Sequence, residues 1–150
     1  METLAYKPFQ PANEMNVQLD EGAYMPERAY NTDGGADLRT PNRLVIRPHD
    51  SVVVDTGVHF DIPAGIVGLL KSKSGLNVKC SLVTEGVIDA GYSGSVVVKL
   101  YNHGGETRII EKGEKITQIL FTLVWTPGFR QVEKIEGGDR GANGFGSTGR

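Results

Sequence analysis

Three polar clusters interrupt apolar stretches of this 150-residue chain, and each carries groups able to do chemistry. GGADLR, 34–39, sets Asp37 between Ala36 and Leu38. LLKSKSGL, 69–76, places two lysines and two serines ahead of Gly75. GVIDAGY, 86–92, puts Asp89 at the end of an apolar run and beside a turn. A carboxylate in such a place is costly to bury unless it is paired or solvated. Each cluster also has an ordinary structural explanation. Asp89 can cap a turn, Asp37 can accept from a backbone N–H at a strand end, and Ser74 with Gly75 can open a helix or turn. A fourth feature is the closing stretch RGANGFGSTGR, 140–150; six of the last fourteen residues are glycine. Such a segment buries too little surface to offset its ordering entropy. It reads either as a frayed terminus or as a strap that orders only over a ligand.

Lys and Arg number 16 against 18 Asp and Glu, a net charge of −2. That balance carries no nucleic-acid signature, yet leaves room for a local basic pocket for a small anion. Hydrophobic content of 39% and charged content of 23% fit one soluble globular domain. The single Cys80 excludes a disulfide framework within the chain and favours an intracellular setting, with the thiol buried and inert rather than nucleophilic. METLAYKPFQPANEMNVQLD, at the start, lacks the basic head and apolar core of a signal peptide. The longest near-continuous apolar run, ILFTLVW at 119–125, is too short to span a bilayer. The expectation is a cytoplasmic protein with no membrane and no nucleic-acid partner. His49, His59 and His103 show no metal-ligand spacing, so a zinc site is not expected.

The elements that must position these clusters are short and rich in β-branched residues. Strands are expected at 16–19, 43–47, within 51–63 as a pair or one bent strand with a bulge at Gly57, and from 65 into the polar stretch that follows. Residues 86–103 read as strand, tight turn, strand. Residues 107–125 read as two strands around Lys112-Gly113-Glu114, and FRQVEKI, 129–135, as a last alternating strand. A short helix is expected after Ser74, and residues 20–36 are irregular. Many short strands at this spacing predict an all-β sandwich, jelly roll or barrel. GANGFG lacks the spacing and the following helix of a dinucleotide-binding loop, and KGEKIT lacks the leading glycine of a P-loop.

Taken as an ordered set, the clusters resemble the five motifs of the trimeric dUTP pyrophosphatases (dUTPases). GGADL at 34–38, KSKSGLN at 71–77, GVIDAGYSG at 86–94, KGEKITQIL at 112–120 and RGANGFGSTG at 140–149 fall in the family's order. The third and fifth carry most of the specificity. Lys73 stands where the family usually has arginine, which exchanges a bidentate fork for a point charge. Gly34 replaces a usual alanine.

The resemblance implies a single jelly-roll-like domain of short antiparallel strands over 1–136, with a flexible glycine-rich C-terminal strap over 137–150. It implies hydrolysis of dUTP to dUMP and pyrophosphate, which removes dUTP and supplies dUMP for thymidylate synthesis. Asp89 matches the residue that directs water at the α-phosphate. Lys73, Ser74, Gly75, Gln118, Arg140, Ser147 and Thr148 match phosphate-contacting positions, and Gly146 a substrate-binding one. Phe145 matches an aromatic that stacks on uracil, and Tyr92 one that packs under the deoxyribose. Main-chain groups around Val87 and Ile88 would read the base, with Thr84 a candidate contact. Mg²⁺ is implied on the three phosphates, touched by Asp37 only through water. A homotrimer is implied as well, its active sites shared between subunits. Two rivals stand beside this reading: a dCTP deaminase on the same fold, and a binding module that keeps the nucleotide site but acts through a protein partner.

Overall fold

The computed structural model of the protein describes residues 14–138 and Gly141. Among them the order is β1 (Val17–Leu19), β2 (Gly35–Arg39), β3 (Leu44–Ile46), β4 (Ser51–Asp55), β5 (Val58–Phe60), β6 (Ile66–Lys71), α1 (Ser74–Cys80), β7 (Leu82–Val83), β8 (Glu85–Ile88), β9 (Val97–Asn102), β10 (Arg108–Ile110) and β11 (Lys115–Leu123). The side-chain period of a strand explains why these stretches settle as they do. In β9, Val98, Leu100 and Asn102 face inward while Val97, Lys99 and Tyr101 face out. β6 likewise buries Ile66, Gly68 and Leu70. β11 breaks the alternation because its register shifts between Lys115 and Thr117, which turns both Ile116 and Thr117 inward.

Four antiparallel sheets result, in the orders β2-β11-β6-β8, β4-β9-β7, β1-β5 and β10-β3. All four feed one core, in which Leu38, Ile46, Val54, Phe60, Leu70, Leu82, Leu100, Ile110 and Ile119 are buried together. Among the described residues no helix is long and apolar enough to cross a membrane.

Pairing departs from the sequence reading in several places. β4 and β5 do not pair with each other; β4 joins β9 and β5 joins β1. The chain changes sheet at Gly57, whose φ of +66° favours glycine and where any side chain would bring its Cβ to 2.9 Å from that of Ala23. Residues 86–103 are not a hairpin: β8 pairs with β6, and β9 with β4 and β7. β10 and β11 separate in the same way, to β3 and to β2 with β6. Residues 129–135 form no strand, and Phe129 there is 98% exposed. The helix after Ser74 forms, with Lys73 rather than Ser74 at its N-cap.

Asn102 shows how polar groups are placed inside this core. Its side-chain amide is buried and donates to the carbonyls of Ile46 (3.0 Å), Arg47 (3.1 Å) and Glu106 (2.8 Å), while its oxygen accepts from the Gly104 N–H at 3.0 Å. Asn102→Ala removes all four bonds. The expected cost is about 2–3 kcal/mol, read as a lowered urea midpoint at unchanged slope and fixed protein concentration. An unshifted midpoint would show that the network contributes nothing.

Candidate functional site

The register of the four-stranded sheet determines which motifs meet. Gln118 of β11 lies opposite Asp37 of β2 on one side and Lys71 of β6 on the other. Lys71 in turn lies opposite Glu85 of β8. Across this row the Gln118 amide donates to the Ser72 carbonyl at 3.1 Å, and the Thr117 hydroxyl to the Lys71 carbonyl at 2.9 Å. Ser72 fixes the exit from β6: its hydroxyl donates to the Thr84 carbonyl (3.1 Å) and accepts from the Thr84 N–H (3.0 Å). The chain then enters α1 at Ser74 and Gly75. No side chain caps that helix. Its opening N–H groups therefore lack the side-chain acceptor that a Ser, Thr or Asp would supply.

Asp37 is the electrostatic centre of the row. Its side chain is only 10% exposed, and it is bonded to the ammonium of Lys73 and, at 2.8 Å, to that of Lys115. Burial alone would push the carboxyl up; the hydrogen bonds and charges of Lys115 and Lys73 outweigh that and hold it below the ordinary aspartate value. Lys115 is correspondingly raised, chiefly by its bond to Asp37. Glu27 extends the network, bonded to Arg39 and 3.7 Å from Lys115.

Beside this network lies a cleft of about 560 Å³, lined by Arg39, Lys73, Gly75, Leu76, Arg108 and Lys115 among others. Its four cations all have acidic partners within the chain, including Glu106 at 3.3 Å from Arg108. An anion entering there competes with carboxylates already in place.

Asp89 is elsewhere. It follows β8 and lies four residues beyond Glu85, roughly 13 Å along the strand direction. It is exposed and belongs to a turn in which the Tyr92 N–H bonds the Asp89 carbonyl at 3.2 Å and Gly91 takes φ +81°. Tyr92 is half exposed, its hydroxyl donating to the Ser95 carbonyl at 3.1 Å. Gly91, Tyr92 and Ser93 line a second cleft of about 320 Å³, together with residues 16–18 and 59–62. No residue lines both clefts. Val87 is exposed and Ile88 packs against the core. Thr84 is buried, and its hydroxyl has no partner.

The structure thus gathers Asp37, Lys73, Ser74, Gly75 and Gln118 on one side and sets Asp89 and Tyr92 apart. Arg140, Phe145, Gly146, Ser147 and Thr148 lie outside the described residues. Lys115, Glu27 and Ser72 are participants that sequence reasoning passed over. Lys115 sits inside the fourth motif, but only the β2–β11 register reveals that it faces Asp37.

Among the described residues no group of three or more His, Cys, Asp or Glu is arranged to hold a metal ion. Both Asp37 oxygens are engaged by lysines.

Comparison with known proteins is decisive at this point: the dUTPase family model matches residues 21–149. The chain belongs to the dUTPase family. It is 40% identical over 136 residues to the deoxyuridine 5'-triphosphate nucleotidohydrolase of Nocardia farcinica, covering 88% of this chain and 82% of that one. A dUTPase of Staphylococcus bacteriophage 80alpha, solved with dUpNHpp, is 35% identical with a TM-score of 0.87, covering 93% of this chain and all of that one. A mutant dUTPase of phage phi11, whose structure concerns the coordination of a structural Mg(II) ion, is 35% identical with a TM-score of 0.75, covering 81% and 98%. The all-β architecture is therefore the family's jelly roll, one of the three all-β forms the strand spacing allows and the one the resemblance implies.

The Asp37 clamp yields a pH dependence. A carboxyl held below its ordinary value stabilises the fold above that value, and the contribution is lost as pH falls through the folded one. The stability gap between the wild type and Asp37→Asn should be widest near neutrality and close below about pH 4. A gap independent of pH in urea titrations would contradict the ion-pair assignment.

Proposed function

We propose that the chain, a dUTP nucleotidohydrolase by family, converts dUTP and water to dUMP and pyrophosphate with Asp89 as the base. The water oxygen bonds the α-phosphorus as the bond from that phosphorus to the bridging oxygen breaks. A water proton passes to the Asp89 carboxylate, and pyrophosphate departs with the bridging oxygen. Water is a poor nucleophile, and a positioned carboxylate both orients it and takes its proton. Exposure of Asp89 at a turn, free of the lysines that occupy Asp37, leaves it available for that task.

The observation that carries the reading is the division of the motifs into two sets that one chain does not bring together. Lys73, Ser74, Gly75 and Gln118 form a phosphate half, Asp89 and Tyr92 a base-and-sugar half. We therefore assign the catalytic unit to a homotrimer in which the halves come from different subunits. A third subunit contributes the strap of 137–150, Phe145 stacking on uracil, Arg140, Ser147 and Thr148 contacting the γ-phosphate, and Gly146 among the substrate-binding residues. The apolar side chains displayed along 123–135, Trp125 and Ile135 among them, fit an arm that is buried on a neighbour.

β8 supports the assignment of the base contact. It is the edge strand of its sheet, so main-chain groups around Val87 and Ile88 face outward, where they can bond the edge of uracil. A site wired in this way leaves polar groups unpaired when cytosine enters. Tyr92 beneath the deoxyribose would exclude a 2′-hydroxyl. Thr84, the candidate base contact, has an enclosed side chain and a main chain bonded to the Ser72 hydroxyl, so it would serve the site by holding Ser72. Mg²⁺ bound to the triphosphate would neutralise phosphate charge, with Asp37 reached through its waters. A cytoplasmic location, where nucleotides are made, completes the proposal.

The test is hydrolysis of dUTP in ¹⁸O-water with Mg²⁺ present. Label is expected in dUMP, and Asp89→Asn should cut kcat by at least about 100-fold while leaving affinity for a non-hydrolysable analogue within a few-fold. Label in pyrophosphate, or undiminished turnover by the variant, would overturn the mechanism. Ammonia release from dCTP would favour the deaminase instead.

A further inference from the structure

His59 lies in β5, its side chain 19% exposed, between two partners that can only accept. Nδ1 is 2.8 Å from the carbonyl oxygen of Ser93, and Nε2 is 3.1 Å from both carboxylate oxygens of Asp20. A neutral imidazole has one N–H and would turn a lone pair toward one of these oxygens; the imidazolium satisfies both. Ser93 is the residue after Tyr92 and the fourth after Asp89. The turn and the segment after it are tied down by further bonds: Gly91 N–H to the Ile62 carbonyl (3.3 Å), Val96 N–H to the Val58 carbonyl (2.8 Å) and Thr56 hydroxyl to the Val96 carbonyl (2.7 Å). Those bonds are indifferent to pH near neutrality. The one from His59 is not.

We infer that His59, as the imidazolium, is a positioning residue that pins the Asp89–Tyr92 turn to β5 and so holds the water-directing carboxylate and the sugar-facing ring in register. The inference rests on the dUTP reading above. It is not catalytic in itself: the ring touches Ser93 and Asp20, and acts on the substrate only through the turn. The charged groups facing it are Asp20, from the turn after β1, and Asp55, at the end of β4. Asp61, just past β5, is engaged by the Asn16 amide at 3.2 Å, and Tyr92 shares the cleft. The Ser93 carbonyl first, then Asp20 and more weakly Asp55, raise the His59 pKa above the ordinary histidine value. A raised histidine pKa means that the pin is complete below the ordinary value and is lost as pH rises through the folded one.

The experiment compares wild type, His59→Gln and Asp20→Asn from about pH 6 to about pH 9, with kcat and KM measured for dUTP and UTP and with ¹⁵N shifts of the His59 ring recorded. At the acid end His59→Gln should lose about tenfold in kcat/KM for dUTP, mostly in kcat, and part of the preference for dUTP over UTP. At the alkaline end the two enzymes should converge. Asp20→Asn should move both the ring titration and the alkaline limb of the wild-type profile to lower pH together. Ring shifts titrating at or below the ordinary histidine value would overturn the inference, as would a His59→Gln profile parallel to that of wild type. The ring titration needs no turnover, so it fails or succeeds separately from the assignment of the reaction.

Discussion

A strand advances about 3.3 Å per residue, and β8 is bonded to β6 in a single register. Glu85 is thereby fixed beside Lys71, and Asp89 is carried four residues away from the row that holds Asp37 and Gln118. No side-chain rotamer closes a gap of that order, and a one-residue slip would turn Val87 and Glu85 to the wrong faces. The rest of the account follows from this separation. The chain presents two incomplete surfaces, one rich in ammonium groups and hydroxyls, the other holding an exposed carboxylate and a tyrosine. The proposed reaction needs both within reach of one triphosphate.

Charge neutrality governs the first surface. Asp37 could not be this enclosed without partners, and Lys73 with Lys115 supplies them. Lys73 replaces the arginine usual at this position in the family. An ammonium can hold Asp37 and still turn a donor elsewhere, but it lacks the planar fork that grips phosphate with two bonds. The surface is thus organised before any ligand arrives, and a triphosphate bound there as proposed would exchange one carboxylate partner for several phosphate oxygens. Preorganisation of this kind is what positioning catalysis draws on.

The all-β class, the short elements and the ordered motifs could be read from the chain because they depend on local chemistry: β-branched runs, turn glycines and a few residues at fixed spacing. Strand partners could not. In 86–103 and 107–125 two strand-like runs flank a turn signal, and a hairpin is the economical reading. The chain instead changes sheet at both places, β8 to β6 and β10 to β3, and those partners lie far away in sequence. FRQVEKI alternates as a strand should, yet alternation reports only that one face seeks burial, not which chain buries it. Lys115 and His59 were invisible for a related reason. Each matters through what lies across a sheet or a turn from it, Asp37 in one case, Ser93 and Asp20 in the other. Motif spacing marks Asp37, Lys73, Gln118 and Asp89 singly, and the resemblance implies that they come from different subunits; the register adds the physical separation of the two sets within one chain.

That division is tested most directly by complementation between subunits. Asp89→Asn lacks the carboxylate half and a Lys73→Ala, Gln118→Ala double variant lacks the phosphate half, so each alone should be nearly inactive toward dUTP. Coexpressed and randomly mixed, they should recover about a quarter of the wild-type rate, because one site in four then draws both intact halves from different subunits. Mixed oligomers as inactive as the separate variants would contradict the shared site and return the chemistry to a single chain.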